Sequence, residues 1–212
     1  NHGIREASGH YIAFLDSDDA WEPEKLEKQL KRFAGGSVAA VYCGVRHLNF
    51  ETGQELETTK RQYPEGDLLE ALLVRDVTVQ TSAYVVRKSV FEQVGCFDET
   101  LRARQDWDMW IRVATAGRIA AVPEALVRFR EHDGERTASN PMKEIEAYRA
   151  IRKKYADSLR QASLSCRLQA RSAFLKRLGR VHHKHPDLGT GKGRLYALGA
   201  LLNWPFDFDN WA

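Results

Sequence analysis

Apolar positions along the chain alternate between strand-like and helix-like spacing. Tyr11-Ile12-Ala13-Phe14-Leu15 is an unbroken apolar run, the pattern of a strand buried on both faces between helical layers. It stops at Asp16-Ser17-Asp18-Asp19. Trp21-Glu22-Pro23-Glu24 then opens a helix whose apolar face is predicted to be Leu26, Leu30 and Phe33, with Gly35-Gly36 ending it. Val38–Tyr42 reads as a strand, Asp67–Leu73 as a short capped helix and Thr81–Val86 as another strand. Trp107, Trp110, Ile111 and Ala114 recur at helical spacing before Gly117, and Ile119–Val122 and Leu126–Phe129 return to strand character. Such alternation predicts an α/β fold with a mixed, mostly parallel sheet and flanking helices.

Carboxylates at the end of a buried strand lie where open α/β sheets form ligand crevices. Asp16 and Asp18, one residue apart, suit a hard divalent cation that would in turn neutralise phosphate oxygens. Asp and Ser are also favoured at turns and helix N-caps, and a helix follows. Capping uses only one of them, whereas clustered acids repel unless a cation sits among them. Both readings stand on the residues alone.

The surrounding blocks carry a resemblance. Asn1-His2-Gly3-Ile4, Ala7-Ser8-Gly9, Tyr11 through Asp19 and Trp21-Glu22-Pro23-Glu24-Lys25-Leu26, followed by Val94-Gly95-Cys96-Phe97-Asp98-Glu99 and Gln105-Asp106-Trp107-Asp108-Met109-Trp110-Ile111-Arg112, resemble the middle of family 2 glycosyltransferases of the GT-A fold, a Rossmann-related architecture. The resemblance implies an inverting, metal-assisted transfer from a nucleoside-diphosphate sugar to a saccharide or lipid-linked hydroxyl acceptor, in bacterial cell-surface polysaccharide or glycolipid synthesis. It implies that Asp16 and Asp18 hold Mg²⁺ or Mn²⁺ and the donor diphosphate, with Asp19, Asn1 and Gly3 on the donor side. By the same resemblance Asp106 is the general base, Thr81 and Trp107 border the acceptor, and His132 is a further metal ligand. Each has a plainer role to set beside it: Asp106 as a helix cap, Trp107 as core, His132 as a solvated loop residue. Gln105 stands where the family usually has Glu. A strand of the Val-Ser-Val-Ile-Ile-Pro type ordinarily begins the family, and none precedes Asn1, so the expectation is a GT-A domain truncated at its N-terminal side.

Charge changes the picture at the other end. Residues 151–194 carry twelve basic and two acidic side chains, +10, against −7 for the rest and +3 for the 212-residue chain. Interleaved Ile151, Tyr155, Leu159, Leu164, Leu168, Phe174 and Leu178 predict basic helices, and Leu195–Trp204 an apolar helix ending near Pro205. The expected organisation is a partial GT-A domain over 1–144 and a helical extension over 145–212. Residues 151–212 suit an anionic membrane surface as partner, or a solvated helical hairpin packed on the domain. Nucleic acid is not expected, because no recognised module accompanies the basic stretch. Three widely spaced cysteines suit a reducing cytoplasm, with the protein peripheral on the inner face of the membrane. Two rival functions remain: a catalytically silent remnant that binds membrane or a partner chain, and a phosphatase using an Asp nucleophile.

Overall fold

In a computed structural model, the structure describes residues 1–34, 36–56, 63–77, 79–131, 141–185 and 190–203. The elements run α1 (His2–Glu6), β1 (Tyr11–Ala13), β2 (Ala20–Trp21), α2 (Lys25–Lys31), β3 (Val38–Asn49), α3 (Leu69–Val74), β4 (Val85–Arg87), α4 (Lys88–Val94), α5 (Gln105–Ala116), β5 (Arg118–Glu131), α6 (Pro141–Lys154), α7 (Ala156–Gln161), α8 (Leu164–Lys184) and α9 (Thr190–Asn203). They fall into two compact units. The first holds Asn1–Leu69, Val77–Asp98 and Gln105–Glu135, the second Glu70–Asp76, Glu99–Arg104 and Arg136–Ala212.

The first unit is built on a mixed sheet with strand order β1-β4-β3-β5-β2 among the described residues. Only β3–β5 is parallel; β1–β4, β4–β3 and β5–β2 are antiparallel. The expected mixed sheet is present, but its parallel character is confined to one long pair. The run beginning at Tyr11 is also shorter than its apolar content predicts. β1 lies at the sheet edge with one neighbour, Ile12 is buried, and Leu15 is 51% exposed beyond the strand. Likewise the stretch from Thr81 opens with a turn of 3₁₀ helix, Thr81–Ala83, before β4 starts.

A larger departure concerns α2. Leu26 and Leu30 face outward, whereas Lys25 and Gln29 are fully buried beside Phe33. Two carbonyls explain Gln29, whose Nε2 donates to the oxygens of Val41 at 2.9 Å and Ala83 at 2.8 Å. A buried carbonyl short of donors is costly, so the two hydrogen bonds supplied here favour Gln29 over a leucine on this face.

β3 and β5 slip register at Gly44, where the pairing passes from Cys43↔Val122 to Gly44↔Ala125 and leaves Pro123 and Glu124 outside it. This bulge accommodates Pro123, which has no N–H to donate. A Cβ on Gly44 would lie 2.7 Å from the carbonyl oxygen of Glu124 and 2.5 Å from Tyr63 Oη. The Tyr63 side chain can move, but the Glu124 backbone is held in the sheet. Gly44→Ala is therefore expected to destabilise the protein by about 1–3 kcal/mol, measured as a lower denaturation midpoint with an unchanged slope.

In the second unit Arg152 donates to the carbonyls of Leu73 (2.9 Å) and Val74 (3.0 Å) at the end of α3 and to that of Ala170 (2.6 Å). Ser163 caps α8 by accepting from Cys166 N at 3.1 Å, while Glu70 accepts from Ser163 N and Oγ at 2.8 and 2.7 Å. α8 and α9 approach through Gly179, Gly193 and Gly199, and Ser172 Oγ donates to Ala200 O at 3.0 Å.

Candidate active site

The acidic loop leaves the end of β1 and is pinned from several sides. Phe14 N donates to Tyr84 O at 3.3 Å, and its ring meets those of Phe91, Phe97 and Trp110 edge-on. Asp16 N donates to Ser82 Oγ at 3.0 Å, and Asp19 N closes a turn onto Asp16 O at 3.1 Å. Trp21, just beyond, donates from Nε1 to Ser82 O at 3.0 Å. Ser82, fully buried in its 3₁₀ turn, thus holds both ends of the loop. Sequence reasoning did not find Ser82 or the clamp by Trp21. The local signal was a small-residue stretch, Thr81-Ser82-Ala83, and its partners are more than sixty positions away.

Electrostatics tie this loop to the second block. Burial, repulsion by Asp18 and a further push from Asp106 raise the pKa of Asp16, against a hydrogen bond from Ser82. Asp106 is therefore close enough for its charge to act on Asp16 although ninety positions separate them. Burial also raises Asp19, together with repulsion from Asp16 and Asp18. Its two carboxylate oxygens are buried without a well-formed hydrogen bond, although the Ser82 hydroxyl and the backbone of Arg130 lie within electrostatic reach. Asp106 is the second residue of α5, half-buried, and accepts from Trp107 N at 2.8 Å.

The other expected residues occupy varied positions. Asn1 spends its side chain on Phe97, Nδ2 donating to Phe97 O and Oδ1 accepting from Phe97 N, both at 2.9 Å. That pair joins the start of the chain to the second sequence block. Gly3 lies in α1 with nothing within 4 Å of where a Cβ would be, so no close approach there requires glycine. Thr81 is partly buried beside Ser82. Trp107 is fully buried. Its ring is enclosed by the core, the plainer of the two roles set out for it. His132 lies outside the described residues.

Donor chemistry limits what the loop can hold. Among the described residues no group of three or more His, Cys, Asp or Glu is arranged to enclose a metal ion. Mg²⁺-type ions, however, are commonly held by one or two carboxylates, with substrate phosphates and water completing the shell. Mutually repelling carboxylates with buried, unpaired oxygens on Asp19 fit that shared mode of binding and not an all-protein cage.

Residues 1–173 match the family described as glycosyltransferase like family 2. This chain belongs to that family. Among similar proteins, an uncharacterized glycosyltransferase of Rickettsia typhi is 24% identical over 155 residues, 71% of this chain and 48% of its own length. The uncharacterized glycosyltransferase YwdF of Bacillus subtilis is 27% identical over 161 residues, 75% of this chain and 57% of its own. The chain spans about half the length of these curated relatives. Among solved structures, TarS 1–349 of S. aureus, in complex with UDP-GlcNAc, superposes with a TM-score of 0.55 at 15% identity, covering 94% of this chain and 68% of that one. Likeness at that identity shows the fold, which is GT-A-like.

Proposed function

We propose that this chain carries the catalytic core of a glycosyltransferase that moves a sugar from a nucleoside-diphosphate sugar to an acceptor hydroxyl with inversion. The observation that carries the reading is that Asp106 lies within electrostatic reach of Asp16, which brings a candidate base from one block toward the diphosphate-side acids of another. Asp106 accepts the acceptor's proton as the hydroxyl oxygen bonds to the anomeric carbon. The anomeric bond to the diphosphate breaks on the opposite side, and the nucleoside diphosphate leaves with that electron pair. Asp16 and Asp18 would hold Mg²⁺ or Mn²⁺, which when bound would supply positive charge to the leaving diphosphate. Ser82 and Trp21 keep the acidic loop in register, and Thr81 lies on the acceptor side. His132 remains a proposed further ligand.

A phosphatase built on the acidic loop has no use for Asp106, so the transferase reading is favoured. The structural neighbour TarS was solved in complex with UDP-GlcNAc, which makes a UDP-sugar the first donor to test. Acceptors are proposed to be saccharides or lipid-linked hydroxyls of bacterial cell-surface polysaccharide or glycolipid, reached by a chain peripheral on the inner face of the membrane. No helix among the described residues is long and apolar enough to cross a membrane.

Mn²⁺ with UDP is expected to raise the melting temperature by about 5–10 °C near a hundredfold excess over Kd. Asp18→Asn is expected to abolish the rise. An equal rise in the variant would remove the metal assignment, and none in either protein would favour a catalytically silent chain.

A further inference from the structure

α9 buries the wrong residues for a helix that ends its packing at α8. It turns its small residues inward: Ala200 is fully buried, and Gly193 and Gly199 sit against His182 and Leu175 of α8. Leu195, Leu198, Leu201 and Leu202 point outward at 69%, 57%, 40% and 79% exposure. At about 3.6 residues per turn these four fall within an arc of roughly 120°. Apolar residues concentrated on an exposed helix face, with small ones against the neighbour, mark a surface that is covered in use.

Charge selects the cover. α8 and α9 carry Lys and Arg but no Asp or Glu anywhere along their length. The end of α8 lies against the start of α9, since a Cβ on Gly193 would be 3.4 Å from His182 Cβ. Exposed Arg180 and Lys184 of α8 therefore gather with exposed Lys192 and Arg194 of α9 at one end of the hairpin, and the leucine stripe runs on from there. Two copies of this chain docking through the stripe in parallel would bring like-charged basic ends together, and in either orientation a second copy offers this all-basic hairpin no acidic partner. An anionic lipid layer complements both parts, its headgroups meeting the basic end and its acyl boundary taking the leucines.

We propose that α9 lies in the plane of an anionic membrane surface, its leucine face in the acyl boundary and the basic end of the hairpin on the headgroups. This rests on the peripheral placement proposed above and names the element that makes it. Fourteen residues of helix are about 21 Å long, which suits lying in the interface and is short of a span.

Cosedimentation of the full chain with vesicles tests it. Vesicles of equal parts phosphatidylglycerol and phosphatidylcholine are expected to bind the protein about tenfold or more tightly than phosphatidylcholine alone. Combined Leu195→Ser, Leu198→Ser and Leu202→Ser, at exposed positions, are expected to weaken that binding at least tenfold, with the melting temperature nearly unchanged. Lys192→Glu with Arg194→Glu is expected to erase the preference for phosphatidylglycerol. Failure of the unaltered chain to bind would overturn both the peripheral placement and the role of α9. Binding that survives the serine substitutions would overturn the role of α9 alone. A dimer in sedimentation velocity that the serine substitutions dissociate, without lipid binding, would show that a second copy is the occupant.

Discussion

Asp106→Asn is expected to leave donor affinity nearly intact while lowering turnover by about 10²–10³-fold, the scale of a lost general base. Asparagine keeps the shape of the side chain and an oxygen able to accept from Trp107 N, so α5 retains its start. What disappears is the carboxylate that takes the proton. The same change removes one of the negative charges bearing on Asp16, so metal-dependent UDP binding should hold steady or tighten slightly. Rates of UDP release and sugar transfer, measured in a preparation active before substitution, decide the matter. Turnover within about threefold of the unaltered protein would reduce Asp106 to a helix-end residue. Weaker UDP binding with unchanged turnover would shift it to the donor side.

Lys25→Met is expected to stabilise the protein near neutral pH by about 1–3 kcal/mol. The Lys25 side chain is fully buried, its Nζ has no hydrogen-bond partner, and it lies 4.2 Å from the centroid of the Trp21 ring. Attraction to the ring returns only about 0.5–2 kcal/mol of the desolvation cost. Burial therefore lowers its pKa from 10.5 to about 8, with the neighbouring Cys43 working weakly the other way. A lysine depressed in this way binds fewer protons folded than unfolded between those two values. Stability consequently rises with pH across the window from about 8 to 10.5, and the penalty is fully present below it. Chemical denaturation across that range should show the rise in the unaltered protein and a flatter profile in the Met variant. A variant less stable than its parent near neutral pH would mean that the ammonium is compensated by more than the Trp21 ring. Because Trp21 also clamps Ser82, retention of the Mn²⁺–UDP melting shift checks that the acidic loop survives the change.

α2 and the acidic loop mark how far the chain could be read. The period of Leu26, Leu30 and Phe33 located the helix but not its buried face. Gln29 went inward because Val41 and Ala83 present carbonyls there, and no local pattern announces a carbonyl twelve or fifty-four positions away; Lys25 is buried on the same side against the Trp21 ring. The position of Asp16 through Asp19 at a strand end was legible, since apolar runs and acid clusters are local facts. That Ser82 would hold the loop was not, and Trp107 could not be told from an exposed aromatic by spacing alone.

Alternating strands and helices, the acids at the end of the first strand, the family blocks and the basic C-terminal region were determined by the sequence itself, because each is a matter of composition or period over a few adjacent residues. Tertiary structure decided the rest: that among the described residues only one strand pair is parallel, that Ser82 clamps the loop, that Asn1 ties itself to Phe97, and that the charge of Asp106 reaches Asp16. It also decided that α9 turns its glycines and Ala200 toward α8 and its leucines away. The physical reason is common to all of these. Hydrogen bonding, burial and charge act between groups that only the closed chain brings within a few ångströms, and their energies outweigh the local preference for any one face or pairing.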